Sequence, residues 1–351
     1  MSNTGMSDPE LALPDDTLIS VRGLKKYFPI QAGWRKRHVG DIKAIDDVSL
    51  DIKKGETFGL VGESGSGKST VARLMLRAYS LTDGQILFRR ASGEVVDISG
   101  LSERGMREMR QEMQMIFQDP YSSLNPRMTL LELVGEPMVI HGAGTQAEIR
   151  DRVAELLSVV GLRPEFLTRY PHAFSGGQRQ RIGIARALAL NPSFIAADEA
   201  VSALDVSVAA QNINLLQDLQ EQFGLTYLFI THDLGMVEHI ADRIGVMYLG
   251  RLMEVAPTHD LFSKPLHPYT EALMAAVPQP DPRGNRTRKR VPLKGEIANA
   301  ANPPSGCLFH PRCPYAQERC ATEQPALRAL PSGRQVRCHF ADELSLTGAV
   351  A

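Results

Sequence analysis

The stretch GESGSGKST, residues 62–70, decides the fold of this 351-residue chain. It follows the apolar run TFGLV, which predicts a buried strand, and precedes VARLML, which predicts a helix. Its spacing is G-x-x-x-x-G-K-S. Glycines let a backbone wrap closely around phosphate groups, and the free N–H groups at a helix start bind anions. The stretch therefore predicts a nucleotide-phosphate loop in an α/β protein, because a chance match is disfavoured by the strand–loop–helix context.

Two side chains of this loop have predicted roles of their own. Lys68 is expected to reach the β- and γ-phosphates of a bound nucleotide, and the Ser69 hydroxyl is expected to coordinate Mg²⁺. The predicted ATP-binding residues of the loop are Gly62, Glu63, Ser64, Gly65, Ser66, Gly67, Lys68, Ser69 and Thr70.

A second acidic element lies downstream. The run FIAADE ends in Asp198 and Glu199, at the tip of a predicted buried strand. An isolated acidic pair is typical of a solvated turn. Beside a phosphate loop, however, the aspartate can hold the Mg²⁺ shell and the glutamate can take a proton from an attacking water.

The rest of the chain fits one large α/β domain with a smaller part attached. Apolar runs and turn residues from 18 to 88 predict a sheet, interrupted by a surface loop at 29–42, and apolar positions from 147 to Gly161 predict a helix. The runs 194–197 and 227–230 predict buried parallel strands, separated by a helix that ends at Gly224. The Pro-, Gly- and Arg-rich stretch from Gln279 predicts a linker.

Composition excludes several classes of protein. Lys and Arg (39) nearly balance Asp and Glu (40), so no global charge favours nucleic acid as a partner. The acidic, polar N-terminus is unlike a secretory signal, and no run of about 18 apolar residues predicts a membrane span. The sequence is that expected of a cytoplasmic protein.

A third motif distinguishes between classes of nucleotide hydrolase. In FSGGQRQRIGIARAL, Ser175 stands at a predicted helix start and is followed by Gly176 and Gly177, which predicts a second phosphate-binding helix start. One protein seldom needs two such sites for one γ-phosphate unless they belong to opposite subunits. The stretch, including Gln178, resembles the signature motif of ABC transporters.

The resemblance then covers nearly the whole chain. Gln118 in MIFQDPYSSLNPRMT resembles the Q-loop, SALD with Ser202 and Asp205 resembles the D-loop, and His232 in FITHD resembles the switch histidine. Phe28 stands where family members place an aromatic ring against adenine, with Tyr27 as the alternative.

Within this family the chain resembles the ATPase subunits of dipeptide and oligopeptide importers, and among these the F-type subunit. The stretches that carry this are QMIFQDPYSSLNPRMT, RYPHAFSGGQRQRIGIARALALNP, SALDVSV and KPLHPYTEALMAAVP. Phe174 replaces the commoner leucine of the signature. Ala200 stands where proline is usual after the acidic pair, which predicts a looser turn at Glu199.

The resemblance implies an architecture. The expected fold is α/β, with a P-loop ABC-type ATPase core, a helical subdomain, an antiparallel β subdomain and a small irregular, metal-bound C-terminal extension. The implied boundaries are a flexible leader (1–16), the ATPase domain (17–265, with its helical subdomain at about 119–190) and the extension (266–351).

The resemblance also implies a mechanism, in which two cassettes pack head to tail around ATP. Ser69, Gln118 and Asp198 are expected to hold Mg²⁺, and Glu199 and His232 to be the catalytic pair. The residues expected at the partner's ATP are Ser175, Gly176, Gly177 and Gln178.

The implied partners are a second ABC ATPase in a heterodimer, two membrane permease subunits and a solute-binding protein. The implied place is the cytoplasmic face of the inner membrane, and peptides are the implied cargo. Importers of a nickel chelate or glutathione and soluble ABC ATPases remain alternatives.

All four cysteines lie near the end of the chain, at Cys307, Cys313, Cys320 and Cys338. In a cytoplasmic protein such a group favours metal over disulfides. No C-x₂-C knuckle is present, so the usual zinc pattern fits poorly, and four thiolates suit an iron–sulfur cluster equally well. Unligated buried thiols are a further alternative. The resemblance implies a [4Fe–4S] cluster, with zinc second.

Overall fold

The computed structural model describes residues 12–34, 36–119, 123–202, 204–276 and 298–349. Two sheets and the helices packed on them account for most of these residues. The strands are β1 (Thr17–Ala32), β2 (Arg37–Lys53), β3 (Thr57–Val61), β4 (Asp83–Arg89), β5 (Val95–Asp97), β6 (Met113–Ile116), β7 (Phe194–Asp198), β8 (Thr226–Ile230), β9 (Arg243–Tyr248), β10 (Arg251–Pro257), β11 (Arg328–Ala329) and β12 (Gln335–Val336). The helices are α1 (Lys68–Met75), α2 (Glu103–Glu112), α3 (Leu130–His141), α4 (Gln146–Val159), α5 (Gly176–Leu188), α6 (Val206–Phe223), α7 (Leu234–Ile240), α8 (Thr258–Ser263), α9 (Pro268–Ala275) and α10 (Glu318–Thr322).

The larger sheet has the strand order β11-β12-β10-β9-β3-β8-β7-β6. Strands β9, β3, β8, β7 and β6 run parallel, and β10, β12 and β11 add to the edge in antiparallel pairs. Strands β3, β7 and β8 are buried along their whole length. Burial on both faces explains their uninterrupted apolar sequence, and the three strands predicted there are confirmed.

Each face of this sheet packs against its own core. Phe194 of β7 and Leu228 of β8 face the core shared with α1, α2 and the smaller sheet. Their neighbours Ile195 and Phe229 face the opposite core, which α3 to α9 cover. This alternation follows from the two-residue period of a strand.

The smaller sheet is antiparallel, with the order β2-β1-β4-β5. The prediction of a surface loop at 29–42 is wrong, because β1 and β2 stay paired as far as Ala32 and Arg37. Strand β4 pairs with β1 only up to Lys25. Beyond that point the described residues hold no further strand on that side of β1. The Tyr27 N–H faces this side, where it donates to the Thr82 hydroxyl, so the position two residues on can be a proline without loss of a ladder hydrogen bond. The polar sequence reflects exposure of this hairpin, whose tip carries Trp34 at 88% exposure.

The helices between β6 and β7 begin with strong capping signals. Thr129 and Thr145 start α3 and α4 with complete capping boxes. Gly161 follows α4 and Gly224 follows α6, both at positive φ, as predicted. The implied bounds of the helical subdomain stay a prediction.

The C-terminal part joins the larger sheet through β12, which pairs with β10 at Glu254 and Val255. The buried Glu254 carboxylate accepts hydrogen bonds from the backbone of Leu266 and His267 and from Arg334. The predicted linker lies outside the described residues.

The predicted leader is described only from Ala12 onward, where Arg89 donates to the carbonyl oxygens of Leu13 and Pro14 at 3.0 Å. Among the helices of the described residues, none combines the length and apolar character needed to cross a membrane.

Candidate functional site

The candidate site lies where three neighbouring strands of the larger sheet end. Strands β3, β8 and β7 are adjacent and parallel, so their carboxyl ends share one edge. Ligands of α/β sheets bind at such an edge. The phosphate loop follows β3, Glu199 follows β7, and His232 follows β8 by two residues.

The glycines of the phosphate loop stand where a side chain has no room. A Cβ at Gly62 would lie 2.2 Å from the carbonyl oxygen of Met247, and one at Gly67 would lie 2.6 Å from that of Ala44. Gly62, Gly65 and Gly67 all have positive φ, which glycine adopts without steric cost. Helix α1 begins directly after Gly67, so its free N–H groups face the loop.

The Lys68 side chain is folded into this loop. Its Nζ donates hydrogen bonds to the carbonyl oxygens of Gly62 at 2.7 Å and of Glu63 at 3.0 Å. Burial lowers the pKa of this amine, and the charges of Glu199, Asp198 and Glu63 oppose that shift. Close by, the buried Ser66 Oγ has no hydrogen-bond partner within the described residues. A backbone cradle with a buried ammonium group and a spare hydroxyl suits a phosphate chain.

The Ser69 hydroxyl donates a hydrogen bond of 2.7 Å to Asp198 Oδ1. Asp198 is buried, and burial raises the pKa of its carboxyl above the ordinary value, against the opposing effect of the Ser69 hydrogen bond. Hydroxyl and carboxylate oxygens are the ligand types that Mg²⁺ takes in nucleotide sites. The described geometry therefore fits the implied ion.

Glu199 is held in an unusual backbone conformation, with φ of 47°. Such values are uncommon for a residue with a side chain, and strained residues of this kind cluster at active sites. Its carboxylate accepts a hydrogen bond of 2.7 Å from Gln118 Nε2 and lies 3.3 Å from His232 Nδ1. Ser202 Oγ donates to the Glu199 carbonyl oxygen at 2.9 Å. The predicted loosening by Ala200, which is buried, stays a prediction.

One open cavity of about 510 Å³ gathers most of these groups. Its walls are Ile42, Ala44, Ser64, Gly65, Gly67, Lys68, Ser69, Thr70, Gln118, Glu199, His232 and Ala300. The sequence did not single out Ile42, Ala44 or Ala300, since small and aliphatic side chains carry no motif.

Phe28 is the better placed of the two aromatic candidates. It pairs across the hairpin with Ile42, a wall residue of the cavity, whereas Tyr27 pairs with Lys43. Directly paired residues share a face of a sheet. Tyr27 is instead tied to Asp46 by a 2.5 Å hydrogen bond, and burial raises its pKa to about 12.

The signature residues lie apart from this cavity. Ser175 caps α5, its Oγ accepting from the N–H of Gln178, while its own N–H donates to Gln178 Oε1. At Gly177 a Cβ would lie 2.4 Å from Val208 Cγ1, so this glycine lets α5 approach α6. None of the residues 175–178 is among the described residues that line the cavity. Asp205, of the D-loop, is exposed at the start of α6.

The four cysteines line a second, much smaller cavity of about 20 Å³. Burial raises the pKa of Cys338 to about 11 and that of Cys313 to about 12, which favours the thiol over the thiolate. The donor set suits a metal centre. Within the described residues, however, no three or more His, Cys, Asp or Glu side chains are placed to hold a metal ion. The four thiols thus fit the implied group in their chemistry, while the cavity, with room for about one water molecule, would have to widen to hold a four-iron cluster.

Sequence reasoning also missed an arginine at the phosphate loop. Arg312, which directly precedes Cys313, donates to both carboxylate oxygens of Glu63, at 2.7 and 2.9 Å. No local signal could have found this contact, because the two residues are 249 positions apart.

A phosphate loop after β3, an acidic pair at the end of the nearby parallel strand β7 and a second glycine-rich helix start outside the cavity together define the class of ATP-binding cassettes. The chain belongs to the ABC transporter family. A model described as ABC transporter matches residues 45–202, and a model described as oligopeptide/dipeptide transporter, C-terminal region, matches residues 253–320.

Two proteins of similar sequence are named as ATP-binding proteins of peptide transport. The chain is 55% identical over 330 residues to the oligopeptide transport ATP-binding protein AppF of Bacillus subtilis, covering 94% of this chain and 99% of AppF. It is 53% identical to the probable peptide ABC transporter ATP-binding protein y4tS of Sinorhizobium fredii, and the match covers 92% of this chain and 90% of y4tS.

Among solved structures, the ATP-binding cassette MJ0796, a dimer bound to ADP and Pi, matches with a TM-score of 0.60 and 30% identity. The match covers 69% of this chain and 99% of MJ0796. The predicted family and the predicted cassette fold are confirmed, and the chain is an ABC-type ATPase.

Proposed function

We propose that this chain is the ATP-hydrolysing subunit of an ABC importer that takes up dipeptides or oligopeptides. The observation that carries the proposal is the meeting of the phosphate loop and the Glu199 carboxylate in one cavity, where the wall residue Ser69 is hydrogen-bonded to the buried Asp198. Phosphoryl transfer depends mostly on positioning and charge stabilisation, and these groups supply both.

The residues of the loop 62–70 would surround the phosphates, with Lys68 as their charge partner. Ser69, Asp198 and Gln118 would hold Mg²⁺, which supplies charge neutralisation on the phosphate oxygens when bound. Phe28 would lie against the adenine ring.

Glu199 would act as the base that orients and deprotonates the attacking water, and His232 would contact the γ-phosphate. The hydrogen bond from Gln118 and the nearby His232 ring already restrain the Glu199 carboxylate. Restraint of this kind reduces the reorganisation needed in the transition state.

The helix start at Ser175, Gly176, Gly177 and Gln178 would act on the nucleotide of a second cassette. Its position outside the cavity of its own chain supports this assignment. The D-loop residues Ser202 and Asp205 would lie at the same interface. Hydrolysis would then require two subunits packed head to tail, which couples turnover to closure of the pair.

We propose a heterodimer with a second ABC ATPase, joined to two membrane permeases and served by a solute-binding protein. The chain would sit peripherally on the cytoplasmic face of the inner membrane. Peptide cargo is supported by the names of the relatives and by the matching C-terminal region. Import of a nickel chelate or glutathione is the second candidate, and a soluble ABC ATPase is the third.

The proposed domains are a leader (1–16), the ATPase domain (17–265, helical subdomain about 119–190) and the extension (266–351). For the extension we propose a metal centre held by the four cysteines, a [4Fe–4S] cluster in preference to Zn²⁺. The convergence of four thiols on one cavity supports it, and binding of the cluster would widen that cavity.

The deciding experiment is co-purification. The chain is tagged, membranes are solubilised in mild detergent, and the captured proteins are identified. Two polytopic proteins with a second cassette ATPase are expected, and a bound solute receptor would indicate the cargo. If the chain stays soluble and captures no membrane protein, the transport role is wrong.

A further inference from the structure

An ion pair joins the phosphate loop to the C-terminal extension. Both terminal nitrogens of Arg312 donate to the Glu63 carboxylate, at 2.7 and 2.9 Å, in the two-pronged geometry that gives the strongest carboxylate contacts. The side chains of Arg312 and Glu63 are only 6% and 20% exposed. The pair is thus removed from most of the water that weakens surface ion pairs.

Glu63 is the second residue of the phosphate loop and is fixed at its backbone as well. Its N–H donates to the Tyr269 hydroxyl at 2.9 Å, and its carbonyl oxygen accepts the 3.0 Å hydrogen bond from Lys68 Nζ. The residue that Arg312 holds therefore also holds the loop lysine in place.

Arg312 in turn rests against a wall of buried aromatic rings. Its guanidinium lies 5.7 Å from the centre of the Tyr248 ring. Tyr248, Tyr269 and Phe309 pack with ring centres 4.8 to 5.5 Å apart. Such a wall leaves Arg312 little rotamer freedom, so its charge stays beside Glu63.

We propose that Arg312 is a positioning residue of the nucleotide site: it neutralises and orients Glu63, so that the phosphate loop presents no uncompensated negative charge to ATP. The inference rests on the proposed role of residues 62–70 in binding phosphate.

The physical argument is electrostatic. The Glu63 charge acts on Lys68, since it counts among the carboxylates that favour the ammonium form of that amine. Without Arg312, Glu63 would be a half-buried, unpaired anion beside the triphosphate, and like charges at short range in a poorly solvated site repel strongly. The C-terminal extension thereby influences the ATP affinity of a site whose sequence motifs all lie outside the extension.

The test is a titration of the full chain with a fluorescent ATP analogue, at low and high salt. Arg312→Gln should weaken binding about tenfold, and the loss should shrink at high salt because screening reduces the repulsion. The double variant Glu63→Gln/Arg312→Gln should return to within about twofold of the original affinity. If Arg312 had only a structural role, removing the Glu63 charge as well would not restore the ATP affinity.

A matched control uses a second buried ion pair of the extension. Arg334 donates to Glu254 at 2.8 Å and is 8% exposed, but it has no contact with the phosphate loop among its described hydrogen bonds. Arg334→Gln should reduce the thermal midpoint at least as much as Arg312→Gln and leave ATP affinity unchanged.

Two outcomes would overturn the inference: unchanged affinity in Arg312→Gln, or a double variant that binds as weakly as Arg312→Gln alone. Lys68→Ala separates this failure from failure of the proposed function. If Lys68→Ala loses ATP binding while Arg312→Gln keeps it, only the role of Arg312 is wrong. If Lys68→Ala binds normally, the phosphate loop itself has been misassigned.

Discussion

Gln118 Nε2 and Glu199 Oε2 are joined by a hydrogen bond of 2.7 Å, across 81 positions of sequence. The contact links the loop after β6 to the residue after β7. A movement of the loop after β6 would therefore shift the Glu199 carboxylate directly. In the proposed complex, a permease subunit that moved this loop would act directly on the catalytic carboxylate.

Replacing Glu199 by glutamine should leave ATP binding intact and reduce turnover of the assembled complex by at least about a hundredfold, because the amide cannot accept a proton from water. Phosphate release and ATP binding are measured on the same preparation. Glu238→Gln, an exposed change on α7, is the control and should turn over normally. Ordinary turnover by the Glu199 variant would remove its assignment as base.

Ser175→Ala should separate ATP binding within one chain from hydrolysis at the proposed interface between two chains. It removes the cap of α5, which costs about 1 kcal/mol of stability, and it removes the proposed contact to the partner's nucleotide. ATP affinity of the isolated chain should stay unchanged, whereas hydrolysis by the complex should fall about a hundredfold. Thr145→Ala removes an equivalent cap from α4. Equal loss of hydrolysis in both variants would show that only helix stability matters.

Phe28→Ala should weaken ATP binding roughly tenfold, since stacking on a base is worth a few kcal/mol at most. Binding of inorganic triphosphate, which has no base to stack, should not change. The parallel variant Tyr27→Ala tests the alternative ring. If it selectively weakens ATP binding while Phe28→Ala does not, Tyr27 takes the adenine role.

Anaerobic preparation followed by iron and acid-labile sulfide assays tests the cysteine proposal. About four irons and four sulfides per chain are expected for the proposed cluster, and a Cys313→Ser variant should lose them. Stoichiometric zinc without iron would replace the cluster with the zinc alternative. A metal-free protein of full stability would favour four unligated thiols.

His267 predicts an acid-sensitive fold. It is fully buried, its Nδ1 accepts from the Tyr269 N–H, and burial lowers its pKa to about 3. Between about pH 6.5 and pH 3 the unfolded chain binds a proton at this position that the folded chain does not, so stability falls as the pH falls. From pH 7 to pH 4.5 the loss is about 2.5 kcal/mol for this one group.

Chemical denaturation at both pH values measures this loss. His267→Asn keeps a cap acceptor at the start of α9, and its stability should depend less steeply on pH. The exposed His259→Asn is the control and should keep the original dependence. If the dependence in His267→Asn is equally steep, another group causes the acid sensitivity.

Much of the site could be predicted from the sequence because its signals are local. The phosphate loop needs glycines at fixed spacing before a helix, and the acidic pair needs a buried strand before it. Ser175 is predicted by its own helix, since a cap and its glycines are neighbours in sequence. These features depend on backbone geometry within a few residues, which residue types constrain directly.

The rest depends on pairing between distant segments. The hairpin at 29–42 has the composition of a loop and forms part of a sheet only because β1 and β2 pair with each other. Phe28 is distinguished from Tyr27 by its partner across that hairpin. The Arg312–Glu63 contact arises because β12 and the aromatic wall bring the extension to the loop, and no single segment carries that information.

The 249 positions between Glu63 and Arg312 have a consequence for synthesis of the chain. Ribosomes add about 5–20 residues each second, so the arginine is made roughly 12–50 seconds after its partner. During that interval the nascent phosphate loop is complete in sequence but lacks its counter-charge. Nucleotide should therefore bind more weakly to the growing polypeptide than to a chain translated past Arg312.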